Sequence, residues 1–166
     1  MQEKALNWLD RLTKSACLTP KRILKIYTFV LFFAPMAYLL LLQLRAGAAK
    51  QTITDFIAAS PATTVSIIVA AGDFLLGYLC WIDGGALLAD RRQYMKFTKL
   101  QLWTQLIVGN WFCLLFAIFA LRRGEDLPEE SKVKPSQLLS LTYLIASLFV
   151  ICFVFYVVLA FRAVKG

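Results

Sequence analysis

Apolar residues in this chain come in four long blocks separated by short polar stretches: Ile23–Leu44, Ala62–Ile82, Leu100–Leu121 and Leu138–Phe161. Each block is about as long as the roughly 20 residues a helix needs to cross the hydrocarbon layer of a bilayer. The pattern predicts an all-α integral membrane protein, a four-helix bundle whose spans cover about 23–44, 62–82, 100–121 and 138–161. Thr19-Pro20 and Ser60-Pro61 each pair a capping hydroxyl with a first-turn proline, which predicts helix starts at those points. Lys134-Pro135 marks the start of the fourth span in the same way.

Residues 1–19 have a different rhythm. Ala5, Trp8, Leu9, Leu12 and Ala16 repeat at helical spacing on one face, while Lys4, Arg11 and Lys14 occupy others. This predicts an N-terminal amphipathic interfacial helix lying on the inner leaflet, ahead of a membrane domain over 20–166. The first apolar block begins too late and runs too long for a cleaved signal peptide, so the first helix is expected to be retained.

Composition agrees with the pattern. Of 166 residues, 60% are hydrophobic and 17% charged, whereas soluble domains are about 25% charged. The net charge of +8 flanks the apolar blocks and forms no basic, aromatic-interleaved run, so the expected anionic partner is the inner leaflet and not nucleic acid. Arg91, Arg92, Lys96 and Lys99 between the second and third blocks form the main inner-leaflet basic patch, with Trp81 and Trp103 flanking it at the interface. If all four blocks span, twelve Lys and Arg fall on the side of both termini and six on the side of the first and third loops. The positive-inside bias then predicts both termini in the cytoplasm, and a bacterial cytoplasmic membrane is the expected location.

Catalytic chemistry is poorly represented. His is absent, which removes HExxH metal sites and Ser-His-Asp triads, and the four cysteines have no metal-ligand spacing. No metal and no cofactor are expected, and the chain is read as non-enzymatic. Gly84-Gly85-Ala86 followed by Asp90-Arg91 looks loosely like the glycine-rich stretch of lipoprotein signal peptidases, which are similar in size. Gly72-Asp73 resembles the Gly-Asp of intramembrane aspartyl proteases. Both chemistries need a second membrane aspartate, and the fourth block contains no acid, so neither resemblance implies activity here.

Asp73 is the residue that most needs explaining. It falls at the middle of the second block, where a carboxylate costs about 2.5–3.5 kcal/mol unless paired, protonated or hydrated. Asn110 has the matching position in the third block, and an Asp73–Asn110 hydrogen bond is the expected solution. Gly72, Gly77, Gly109, Cys113 and Ala117 form the expected helix-packing seam, within the bundle or between copies. Pro35, mid-way along the first block, predicts a kink. The functional expectation is a subunit, accessory or protective partner in a membrane complex, bound to another membrane protein or to copies of itself. The alternative is a small oligomeric transporter or channel with Asp73 at the polar centre of its pathway.

Overall fold

The computed structural model describes residues 18–127 and 137–165, with side chains as far as Arg162. The predicted interfacial helix and the Lys134-Pro135 boundary lie outside these residues. The described chain is helical throughout, apart from short turns. It comprises α1 (Pro20–Ala48), a short α2 (Ile53–Ala58), α3 (Pro61–Leu88), α4 (Arg91–Val108), α5 (Trp111–Arg123), a single 3-10 turn (Gly124–Asp126) and α6 (Gln137–Lys165). Three of these helices, α1, α3 and α6, are long and apolar enough to cross a membrane.

Local chemistry fixes the helix starts. Thr19 accepts the Arg22 N–H at 3.3 Å and Ser60 accepts the Thr63 N–H at 3.3 Å, with Pro20 and Pro61 in the following first-turn positions. The connection after the second apolar block is only Ala89-Asp90, because α3 runs on to Leu88 and α4 begins at Arg91. Asp90 caps α4, accepting from the N–H groups of Arg92 and Gln93 at 2.8 and 3.2 Å.

The main departure from expectation concerns Leu100–Leu121, which is not one helix. Helix α4 ends at Gly109, whose φ of 77° lies in the left-handed region that glycine adopts without a Cβ clash. Asn110 then restarts the chain, its Oδ1 accepting the Cys113 N–H at 3.2 Å as the N-cap of α5. Helix α5 runs back along α4. At its far end a Cβ on Gly124 would lie 2.6 Å from Met95 Sδ and 3.1 Å from Tyr94, near the start of α4. There too, Arg123 Nε donates to the Leu18 carbonyl at 3.0 Å, just before α1. Helices α4 and α5 therefore form a hairpin that returns to the end of the bundle from which it started.

This return reverses the last helix. Leu24 sits against Gly84 and Leu31 against Gly77, so α1 and α3 are antiparallel. The Leu138 N–H meets Asp83 Oδ2 at 3.4 Å and Phe149 covers Gly72, so α6 is antiparallel to α3. We call the end that holds Pro20, Leu88, Arg91, Arg123 and Gln137 proximal, and the end that holds Ala48, Pro61 and Arg162 distal. Helix α1 thus starts proximally and α6 finishes distally, whereas a bundle of four full-length helices would bring both ends of the domain to one end. The segment after α5, expected opposite the N-terminus, leaves from the proximal end. The physical cause is the Gly109-Asn110 turn, which adds one reversal that a count of apolar blocks does not contain.

The core is where the hairpin meets the long helices. Ile23, Leu31, Leu76, Leu87, Tyr94 and Cys113 are fully enclosed there. Gly77 permits a close approach of α1 and α3, since an added Cβ would lie 3.0 Å from Leu31 Cβ and 3.4 Å from its backbone carbon. Pro35 is buried within α1, which is helical on both sides of it, and its missing N–H leaves the Leu31 carbonyl without a helical donor.

Candidate functional site

Buried polarity in the protein is concentrated on one face of α4. Tyr94, Thr98, Gln101 and Gln105 follow at helical spacing, and Thr104 lies beside them; all five are buried. Helix α4 presents this stripe to α1 and α3. Tyr27 of α1 donates its hydroxyl to Gln101 Oε1 at 2.7 Å. Thr104 donates to the Gln101 backbone carbonyl at 3.1 Å and lies 3.4 Å from the same Oε1.

Asp73 of α3 closes the stripe at the hairpin tip. Gln105 Nε2 donates to its Oδ1 at 3.1 Å and Asn110 Nδ2 donates to its Oδ2 at 3.2 Å. Asp73 is 5% exposed, and each carboxyl oxygen has an amide donor, the arrangement that suits a buried acceptor. The expected Asp73–Asn110 pair is therefore in contact, but through different geometry. Asn110 does not project from the middle of a helix; it sits in the turn, and one side chain joins Asp73 with its nitrogen and caps α5 with its oxygen.

Two enclosed polar atoms, Gln105 Oε1 and Tyr94 Oη, have no hydrogen-bond partner among the described residues. Gln105 spends its N–H on Asp73, which leaves its oxygen as a spare acceptor beside the carboxylate.

Because the hairpin stops part-way along the bundle, the space beyond its tip is not filled by a helix. A cavity of about 460 Å³ lies there, bounded by α1, α3, α6 and the α4–α5 turn. Asp73 and Asn110 form its floor, and its walls rise through Ala70 and Val65 of α3, Tyr38 of α1 and Tyr156 of α6 toward the distal end. Ser66 also lines it, but its hydroxyl is engaged by the Ala62 carbonyl at 3.0 Å. Among the described residues, Asp73 is the only ionisable acid or base on the lining apart from the two tyrosines and Cys152.

The other expected site residues separate. Gly72 receives Phe149 of α6 and Gly77 receives Leu31 of α1, while Cys113 and Ala117 are buried on α5. These four belong to packing inside one chain. Gly109 does not join them: it lies outside both helices, and nothing stands within 4 Å of where its Cβ would be. Its role is the positive φ of the turn. Arg92, Lys96 and Lys99 are exposed along one side of α4, with Arg91 half-buried at its start, all at the proximal end and away from the cavity. Trp81 and Trp103 are exposed.

Sequence reasoning missed Gln101, Gln105 and Tyr27. The signal for the two glutamines was present as amides four residues apart inside an apolar block, on the same face as Thr98. Tyr27 carried no such mark. Among the described residues no three His, Cys, Asp or Glu side chains gather as a metal site. Compared with protein-family models, with curated proteins and with solved structures, the chain matches none of them.

Proposed function

We propose that the protein is a polytopic membrane protein of the small transporter or channel class, in which a cation reaches Asp73 through the distal cavity. Helices α1, α3 and α6 cross the bilayer on this reading, and α4–α5 enters it from one side and returns. Ile82 and Leu100 begin the apolar parts of α3 and α4, and Asp73 and Gly109 each lie nine residues further along. At the helical rise of about 1.5 Å per residue, both reach roughly 13–14 Å into a core about 30 Å thick. Non-helical backbone at such depth is tolerated where protein buries it or a water-filled cavity adjoins it. The Gly109-Asn110 turn adjoins the cavity.

Charge supports an orientation. Lys21, Arg22, Lys25, the four basic residues of α4, Arg122 and Arg123 belong to the proximal end, against Arg45, Lys50, Arg162 and Lys165 at the distal end. Nine against four among the described residues favours the proximal end as cytoplasmic. The cavity then opens toward the outer leaflet, and α6 ends outside.

The observation that carries the reading is a buried carboxyl group lining a cavity beside the hairpin tip, held by two amides that a broken helix supplies. In vesicles carrying the purified protein, an imposed gradient of at least one of three kinds of ion, protons, monovalent inorganic cations or organic cations, should collapse faster than in empty vesicles. Asp73→Asn should remove that flux at least tenfold while leaving the helical content unchanged. Undiminished flux in the variant would overturn the proposal.

A second reading, the non-enzymatic subunit or accessory protein of a membrane complex, draws on a separate feature. Trp111 and Phe112 are 70% and 74% exposed at the hairpin tip, beside a column of the bundle that α5 fills only in part. A partner's helix could complete that column. Purification in mild detergent would then retain a stoichiometric second protein, and Trp111→Ala with Phe112→Ala would release it.

A further inference from the structure

We infer that the cavity takes a lipophilic organic cation, an apolar or aromatic body bearing one delocalised or quaternary positive charge, and not a bare metal ion or a hydrophilic solute. The inference rests on the reading of Asp73 as a cation site and adds the class of ligand. Size is the first argument. About 460 Å³ is within the range of roughly 300–1,000 Å³ typical of sites for drug-sized molecules, whereas a water occupies about 30 Å³.

Coordination is the second argument. Hard cations such as Ca²⁺ take about six to eight oxygen ligands. The lining offers one carboxylate, whose two oxygens already accept from Gln105 and Asn110, the Asn110 carbonyl oxygen that caps α5, and the hydroxyls of Tyr38, Ser66 and Tyr156, which are spread over three different helices. That set suits long-range attraction to a diffuse charge and does not replace a hydration shell.

The walls supply the third argument. Tyr38, Phe149, Phe153 and Tyr156 place four aromatic rings around the space above Asp73, with Pro35, Val65 and Val69 between them. Ring faces attract cations that are already poorly hydrated, and apolar walls bury the body that carries the charge. Among the described residues no Lys or Arg lines the cavity, so none of them competes on its wall for the carboxylate. A neutral molecule of the same shape would gain the walls but not the floor, and a small inorganic cation the floor but not the walls.

Equilibrium binding of radiolabelled methyltriphenylphosphonium to the full chain in nanodiscs tests this, with triphenylphosphine oxide as a neutral competitor of similar shape. Saturable binding at one site per chain is expected, with the oxide at least tenfold weaker. Phe153→Leu and Tyr156→Leu keep apolar bulk but remove a ring, and each should weaken phosphonium binding about three- to tenfold. Equal affinity for phosphonium and oxide, or no effect of either ring removal, would overturn the inference. Should phosphonium fail to bind while Asp73→Asn still abolishes inorganic-cation or proton flux, the ligand class is wrong and the cation site stands. Asp73→Asn without effect on any flux removes both. Thermal melts of each variant separate loss of the site from loss of the fold.

Discussion

Asn110 performs two tasks with one side chain, and the two can be separated. Its Oδ1 caps α5 through the Cys113 N–H, and its Nδ2 reaches Asp73 across the interface with α3. Replacing Asn110 with Ser keeps a capping oxygen and removes the reach to Asp73, whereas Asn110→Ala removes both. Loss of an N-cap costs about 1 kcal/mol. An abandoned buried acceptor costs about 1–3 kcal/mol, although interhelical hydrogen bonds within bilayers average nearer 0.6 kcal/mol. Asn110→Ser is therefore expected to destabilise by about 1 kcal/mol and Asn110→Ala by about 2 kcal/mol. The direct test is a double-mutant cycle of Asp73→Ala with Asn110→Ser, followed by reversible unfolding in mixed detergent micelles with far-UV circular dichroism. In the double variant the second substitution should cost less than it does alone, leaving a coupling energy of about 0.6–1.7 kcal/mol. A coupling energy indistinguishable from zero would refute the claim that these side chains hold the hairpin against α3.

Two further outcomes follow from the packing and from the proximal turn. Gly77→Ala brings a Cβ to 3.0 Å from Leu31 Cβ where α1 packs on α3, and should lower stability by about 1–3 kcal/mol. Gly85→Ala in the same helix meets nothing within 4 Å and should be neutral, so equal loss at both positions would contradict the packing described. Asp90 is held below the usual carboxylate range, first by the Gln93 side-chain hydrogen bond and then by backbone N–H groups of Gln93 and Arg92. Because its folded value is depressed, its contribution is complete above the ordinary carboxylate pKa of about 4 and fades as pH falls through the lowered value. The gap in melting temperature between the native chain and Asp90→Ala should be full at neutral pH and close in strong acid; a gap independent of pH would rule out the cap as its source.

The legible parts of this fold are those governed by local rules. Thr19-Pro20 and Ser60-Pro61 begin helices because a hydroxyl and a proline solve the same N-terminal problem wherever they occur. Asp73 announced itself because an acid in an apolar block needs a partner, and Asn110 was identifiable by depth alone. The hairpin was hidden by a length criterion. Leu100–Leu121 is long enough to span, but Gly109-Asn110 is a C-cap followed by an N-cap, and Arg122 comes only twelve residues after Asn110. A span needs about twenty residues, and a return needs only half that. Gln101 and Gln105 carried the same message, since amides on one face of a helix need buried partners to sit against. The cavity itself was not legible. It is the space a short hairpin leaves among long helices, and no single residue encodes it.

The return of α4–α5 to the proximal end sets the direction of α6 and leaves the cavity open. In a chain whose native cysteines are replaced, single cysteines at Gln51 and Glu125 can be probed with a membrane-impermeant maleimide in sealed, oriented vesicles. Gln51 precedes α2 at the distal end, and Glu125 lies in the turn beyond α5. The two sites should label from opposite faces of the bilayer, Glu125→Cys from the cytoplasmic face. Labelling of both from the same face would mean that Leu100–Leu121 crosses the membrane after all, and the hairpin, its cavity and the direction of α6 would go with it.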